Sequence, residues 1–218
     1  MQLEELAIKI VISAIPILLA ITVHEASHGY AAKYFGDLTA ERMGRISLNP
    51  FKHIDPVGTV LLPALTLFFG GVLFGWAKPV PVNFGNLRNP KKDMLWVAAA
   101  GPASNFVMAI LWGILLGFVK RGLDAGEFPT VAYLFMDMAY VGITINIVLM
   151  VLNLLPMPPL DGGRIAVSLL PNNLAFQLSR VENYGFIILI ALMFMGVLGK
   201  ILSPFIEFFQ QIIFRIFV

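Results

Sequence analysis

The sequence predicts an all-α, polytopic membrane protein of about four to six membrane segments, with a re-entrant hairpin and a short β-like loop. Three observations predict it. Of 218 residues, 58% are hydrophobic and only 13% charged, with mean hydropathy +0.83; a soluble domain carries about 25% charge and 45–50% apolar residues. Long apolar runs recur at 6–32, 57–76, 94–119, 131–153 and 184–202, near the roughly 20 residues a helix needs to span a bilayer. The basic residues between these runs are unevenly distributed.

Each run follows from its residues. The first, 6–32, is preceded by "MQLEEL", which lacks the basic start and small-residue cleavage site of a signal peptide; it is expected to remain as a span starting outside. The loops 33–56 and 77–93 each carry four basic residues: Lys33, Arg42, Arg45 and Lys52, then Lys78, Arg88, Lys91 and Lys92. A full crossing by 57–76 would put these clusters on opposite sides. The positive-inside bias puts both in the cytoplasm, so 57–76, with Pro63 and "FFGGVLFGW", reads as re-entrant, with a full crossing, for which the run is long enough, as the alternative. The runs 94–119 and 131–153 are spans, with 120–130 outside and 156–182 inside. The run 184–202 is a further span, and 204–217 is either interfacial or a continuation past Pro204. Residues 1–218 form one transmembrane domain without internal repeats.

Composition also excludes function classes. A net charge of +2 gives no reason to expect nucleic acid. With no cysteine there are no disulfides and no thiolate metal sites.

The first chemical signal is "HEASH" at 24–28, inside an apolar run. A charge at the bilayer centre costs at least ~2.5–3.5 kcal/mol on insertion scales, so something must offset it. Four residues apart on a helix, His24 and His28 lie on one face and can grip one ion. Glu25 sits beside them, placed to take a proton from water activated by that ion. A bound Zn²⁺ turns an isolated carboxylate into half of an ion pair.

Two histidines do not complete a catalytic zinc site, which takes three protein ligands and an open position. Asp161 closes "NLLPMPPLDGG" at 153–163, whose prolines at 156, 158 and 159 forbid regular helix. Irregular backbone at membrane depth is tolerated only where protein buries it or it lines a wet cavity. Residues 24–28 lie 18–22 positions into their span, about 27–33 Å along a helix, so both stretches approach the cytoplasmic side. His53 is a rival third ligand. Asp137 lies near the outer end of its span and reads as an interfacial or packed acid.

Together, "HEASH", "AAAGPASNF" at 98–106 and N-x-x-P-x-x-x-L-D-G at 153–162 resemble the site-2 protease family of intramembrane zinc metalloproteases, in its small branch without a PDZ domain. The resemblance implies one Zn²⁺ per chain held by His24, His28 and Asp161. It implies Glu25 as general base, and Asn153 as a contact to the substrate carbonyl or developing oxyanion. Transmembrane protein substrates would be cut in or near their membrane segments, in a prokaryotic cell membrane, with the site toward the cytoplasm. The bilayer is a partner, and association between copies of the chain is allowed. "KPVPVNF" at 78–84 alternates like an edge strand and could hold an extended substrate. Asn105 and Asn146 are expected to bond between helices, without a catalytic role. Two other functions remain to be weighed: a zinc or proton transporter, and a catalytically silent, zinc-stabilised scaffold.

Overall fold

The computed structural model describes residues 3–61, 75, 77–124 and 129–218. Seven helices of eight or more residues carry the described fold: α1 (Leu3–Tyr34), α2 (Pro90–Asp124), α3 (Pro129–Asn153), α4 (Asp161–Leu169), α5 (Asn172–Ser179), α6 (Glu182–Phe194) and α7 (Val197–Phe217). Among the described residues there is no strand, and 78–83 is irregular chain without a strand partner.

Helices α1, α2 and α3 pack on one another, α4 packs against α2, and α7 lies along α3 and α2. The main apolar core sits between α2, α3, α6 and α7, where Trp112, Leu116, Ile143, Ile147, Leu189, Leu202 and Ile213 are buried. Between membrane helices such contacts act through close van der Waals packing rather than removal from water, since lipid is as apolar as the side chains. Among the described residues, α2, Val131–Asn153 of α3, and α7 are long and apolar enough to cross a membrane. Helix α1 has 32 residues, about 48 Å of rise, and carries Thr22, His24, Glu25, Ser27 and His28 in its second half.

One difference from the sequence-based expectation concerns helix limits. The apolar run 184–202 is not one span. It is divided where Gly196 takes φ 68° and ends α6 after only 13 residues; a left-handed residue stops a helix and suits glycine. The helix that follows, α7, runs through Pro204 to Phe217, so 204–217 is the continuation that the sequence allowed. The stretch 57–76 lies largely outside the described residues. Its flanks are close, since the Lys78 amide donates to the His53 carbonyl at 2.9 Å.

Helix α1 ends in a Schellman arrangement. Gly36 has φ 113°, and the amides of Gly36 and Asp37 donate back to the carbonyls of Lys33 and Ala32. The loops beyond it interlace. Arg45 donates to the carbonyls of Lys78 and Pro79, and Arg88 to those of Phe35 and Tyr34. Lys91 reaches the Leu170 carbonyl and Asn172. The basic stretches 33–56, 77–93 and 156–182 therefore meet at one end of the bundle.

Candidate metal centre and active site

The site is built where α1, α2 and the start of α4 converge. His24 and His28 lie on one face of α1, with their rings edge-to-face and centroids 4.7 Å apart. The prolines after α3 turn the chain so that Asp161 becomes the first residue of α4. The turn is tight: a Cβ on Gly162 would stand 2.3 Å from the Leu154 and Leu155 carbonyl oxygens. The exposures of His24, His28 and Asp161 are only 7%, 9% and 8%.

Hydrogen bonds fix how the imidazoles point. The Nδ1 of His28 lies 2.7 Å from the Val97 carbonyl, which can only accept, so Nδ1 carries the proton. The Nδ1 of His24 donates to Asn105 Oδ1 at 2.6 Å. In neutral imidazoles both Nε2 atoms are then bare lone pairs. They stand 3.1 Å from each other, and each is 3.3 Å from Asp161 Oδ2. That oxygen is buried with no hydrogen-bond partner.

Three acceptors thus converge with no proton between them, an arrangement that a cation stabilises. The spacing fits one ion: a tetrahedral centre with Zn–N and Zn–O bonds of about 2.0–2.1 Å has ligand–ligand edges of about 3.3–3.4 Å. Among the described residues these three form the one His/Asp/Glu group so disposed.

A cavity of about 140 Å³ opens beside them, lined also by Glu25, Val80, Val82, Phe84, Asn153 and Arg164. It has room for several waters. Glu25 is half-buried, and its Oε2 accepts the Val80 amide at 2.7 Å. Asn153 lines the cavity, while its amide donates to the Leu149 carbonyl at 3.0 Å. His53 is elsewhere: it is buried, and its Nε2 lies 2.8 Å from the Ser47 carbonyl. Asp137 is exposed on α3. Neither belongs to the cluster.

The sequence model of peptidase family M50 matches 129–196, the stretch holding Asn153 and Asp161. The "Putative zinc metalloprotease YwhC" of Bacillus subtilis is 37% identical over 205 residues, covering 93% of this chain and 89% of that protein. The chain belongs to peptidase family M50. This is the family that the sequence motifs resemble. A second relative, the "Putative zinc metalloprotease Rip2" of Mycolicibacterium smegmatis, is 33% identical over 84% of this chain, which spans 66% of that protein's length. No solved structure matches.

Sequence reasoning missed several supports of this M50 site. Gly101 on α2 lies against the histidines: a Cβ there would stand 2.4 Å from His28 Nε2. Asn105 and Asn146 bond between helices as expected, at 2.9 Å, but Asn105 also holds a candidate ligand. Both asparagines are fully buried within apolar spans, and that placement was the available signal.

Proposed function

We propose that this chain is a zinc-dependent intramembrane endopeptidase that hydrolyses peptide bonds in or near transmembrane segments of other proteins. The observation that carries the reading is the tetrahedral spacing of His24 Nε2, His28 Nε2 and Asp161 Oδ2 beside a cavity that contains a carboxylate outside the ligand set. The M50 relatives, named as zinc metalloproteases, favour hydrolysis over transport. A purely structural ion would leave Glu25 without a task.

His24, His28 and Asp161 would hold the ion and leave one position open to the cavity. Bound zinc supplies a Lewis acid and lowers the pKa of its water to about 7. Glu25 takes the proton of the attacking water and passes it to the departing nitrogen. Its Oε2 is engaged by the Val80 amide, which leaves Oε1 to carry that proton. Asn153 uses one amide hydrogen on Leu149; the second is available to a carbonyl on which charge develops. A helical substrate must unwind to expose its carbonyl, and 78–84 forms one wall of the space that would receive it. The shared layer of basic loops argues that this end of the bundle faces the cytoplasm.

The test is Glu25→Gln in purified protein with a model transmembrane substrate. Zinc content should stay at the wild-type level while cleavage falls by ~10³-fold or more, and a chelator should abolish wild-type cleavage. Cleavage retained by Glu25→Gln would remove Glu25 from the chemistry. Chelator-resistant cleavage would remove the metal.

A further inference from the structure

His28 is oriented by a backbone carbonyl, which cannot be reversed. His24 is oriented by an amide side chain, which can present either its oxygen or its nitrogen. If Asn105 turned its NH₂ toward His24, the Nδ1 proton would be displaced to Nε2, where the ion must bind. The neighbours of Asn105 decide which end it presents. Its Nδ2 donates to Asn146 Oδ1 at 2.9 Å and to the Ala20 carbonyl, one turn before His24 on α1, at 3.3 Å. Asn146 is itself an amide, and its Nδ2 donates to the Gly142 carbonyl at 2.8 Å. That carbonyl only accepts, so the whole chain of bonds has one direction.

We propose that Asn105 and Asn146 form a directional amide relay, anchored on the Gly142 carbonyl, that keeps His24 in the Nδ1-protonated tautomer and its Nε2 lone pair aimed at the metal position. Both are positioning residues. Each is fully buried, where an amide group left unpaired is costly, so reversing one amide would oppose two donors or two acceptors at each link. The relay joins three helices, since His24 is on α1, Asn105 on α2 and Asn146 on α3. It makes metal affinity depend on the pairing of α2 with α3, although Asn146 itself does not belong to the ligand cluster. The inference rests on the reading of His24 as a metal ligand.

Zinc affinity of the purified chain, measured by competition with a chromophoric chelator, tests it. His24→Ala is the reference and should abolish tight binding; unchanged affinity there would overturn the metal reading and the relay with it. Asn105→Ala should weaken zinc by ~10–100-fold, the usual cost of losing a partner behind a ligand, and Asn146→Ala by about tenfold. Asn105→Asp separates direction from packing. A carboxylate accepts from Nδ1 whichever way it is turned, so this variant should bind zinc more tightly than Asn105→Ala, even though its second oxygen faces the Ala20 carbonyl. Adding Asn146→Ala to it should then change affinity by less than about twofold. Wild-type affinity in Asn146→Ala, or an equal loss from that substitution in both backgrounds, would overturn the relay while leaving the metal site standing. Should Asn146→Ala lose helicity in detergent, the ¹⁵N spectrum of the ring nitrogens in wild-type, zinc-free protein in mildly alkaline buffer decides. Nδ1-protonated His24 is expected, and an Nε2-protonated ring would overturn the proposal.

Discussion

His28 and Val80 line the same cavity and are held in opposite ways. His28 is on a 32-residue helix, its ring tied to the Val97 carbonyl and packed against Gly101 of α2. Val80 lies in irregular chain whose ties are scattered hydrogen bonds to α1 and to neighbouring loops: its own amide to Glu25, Lys78 to His53, Asn83 to Asp37, and Arg45 to the carbonyls of Lys78 and Pro79. The first wall is held by helix packing and by hydrogen bonds behind both imidazoles. The second can be displaced by breaking a few hydrogen bonds, each worth about 0.5–1.5 kcal/mol net. A site that must hold an ion and admit a polypeptide needs both properties, and they are divided between the walls.

The largest effect should come from crowding the helical wall. Gly101→Val would drive a side chain into the imidazole pair, and we expect zinc affinity to fall by more than ~100-fold. Overpacking of this kind typically costs about 1–3 kcal/mol in stability as well. Zinc titration and thermal melting check both. Affinity near wild type would mean that the helices separate easily there and that the wall is softer than described.

Next comes the tether of the irregular wall. Asp37 is buried after α1 and accepts bonds from Thr39, the Asn83 amide and Asn86. Asp37→Ala should raise KM for a transmembrane substrate by about five- to tenfold with zinc content unchanged, because bonds to a charged acceptor are worth about 1.5–3 kcal/mol. Loss of zinc in this variant would show that the walls are not independent. Asp37 also gives the irregular wall its acid sensitivity. Burial by itself raises its carboxyl, but the bonds from Thr39, Asn86 and Asn83 outweigh burial and hold it below the ordinary value. A lowered folded-state pKa stabilises above the unfolded value and is lost as pH falls through the folded one. The contribution of Asp37 should therefore persist to about pH 4 and fade below it. Acid unfolding curves of wild type and Asp37→Asn should converge in that range.

Smaller effects complete the series. Arg45→Ala removes two exposed bonds to the carbonyls of Lys78 and Pro79 and should change KM by about twofold. Lys33→Ala breaks an ion pair with Glu41 whose side chains are 46% and 44% exposed; such pairs are worth little, and no measurable change in cleavage or melting is expected.

The same division explains what could be read in the sequence. The helical wall was legible because its logic is periodic: the spacing of His24 and His28 sets a face, and apolar runs set the spans. Asp161 was reachable because three prolines beside an acid in apolar sequence demand a special environment. The supports were harder to read. Gly101 looks like any small residue at a helix contact, and Asn105 like any polar residue in a bundle, since what distinguishes them is a partner 73 to 81 residues away. The division of 184–202 at Gly196 was missed because a single glycine does not oblige a helix to end; here its positive φ ends α6. The alternation in 78–84 suggested a strand, but Pro79 and Pro81 carry no amide hydrogen to form a ladder.

The central claim is that Asp161 completes a zinc site with the two imidazoles of α1. Its most direct test is the zinc content of purified wild-type, Asp161→Ala and His53→Ala proteins after dialysis against a moderate chelator. One zinc per chain should remain in wild type and in His53→Ala, and almost none in Asp161→Ala. A full complement of zinc in Asp161→Ala, or its loss in His53→Ala alone, would contradict the account.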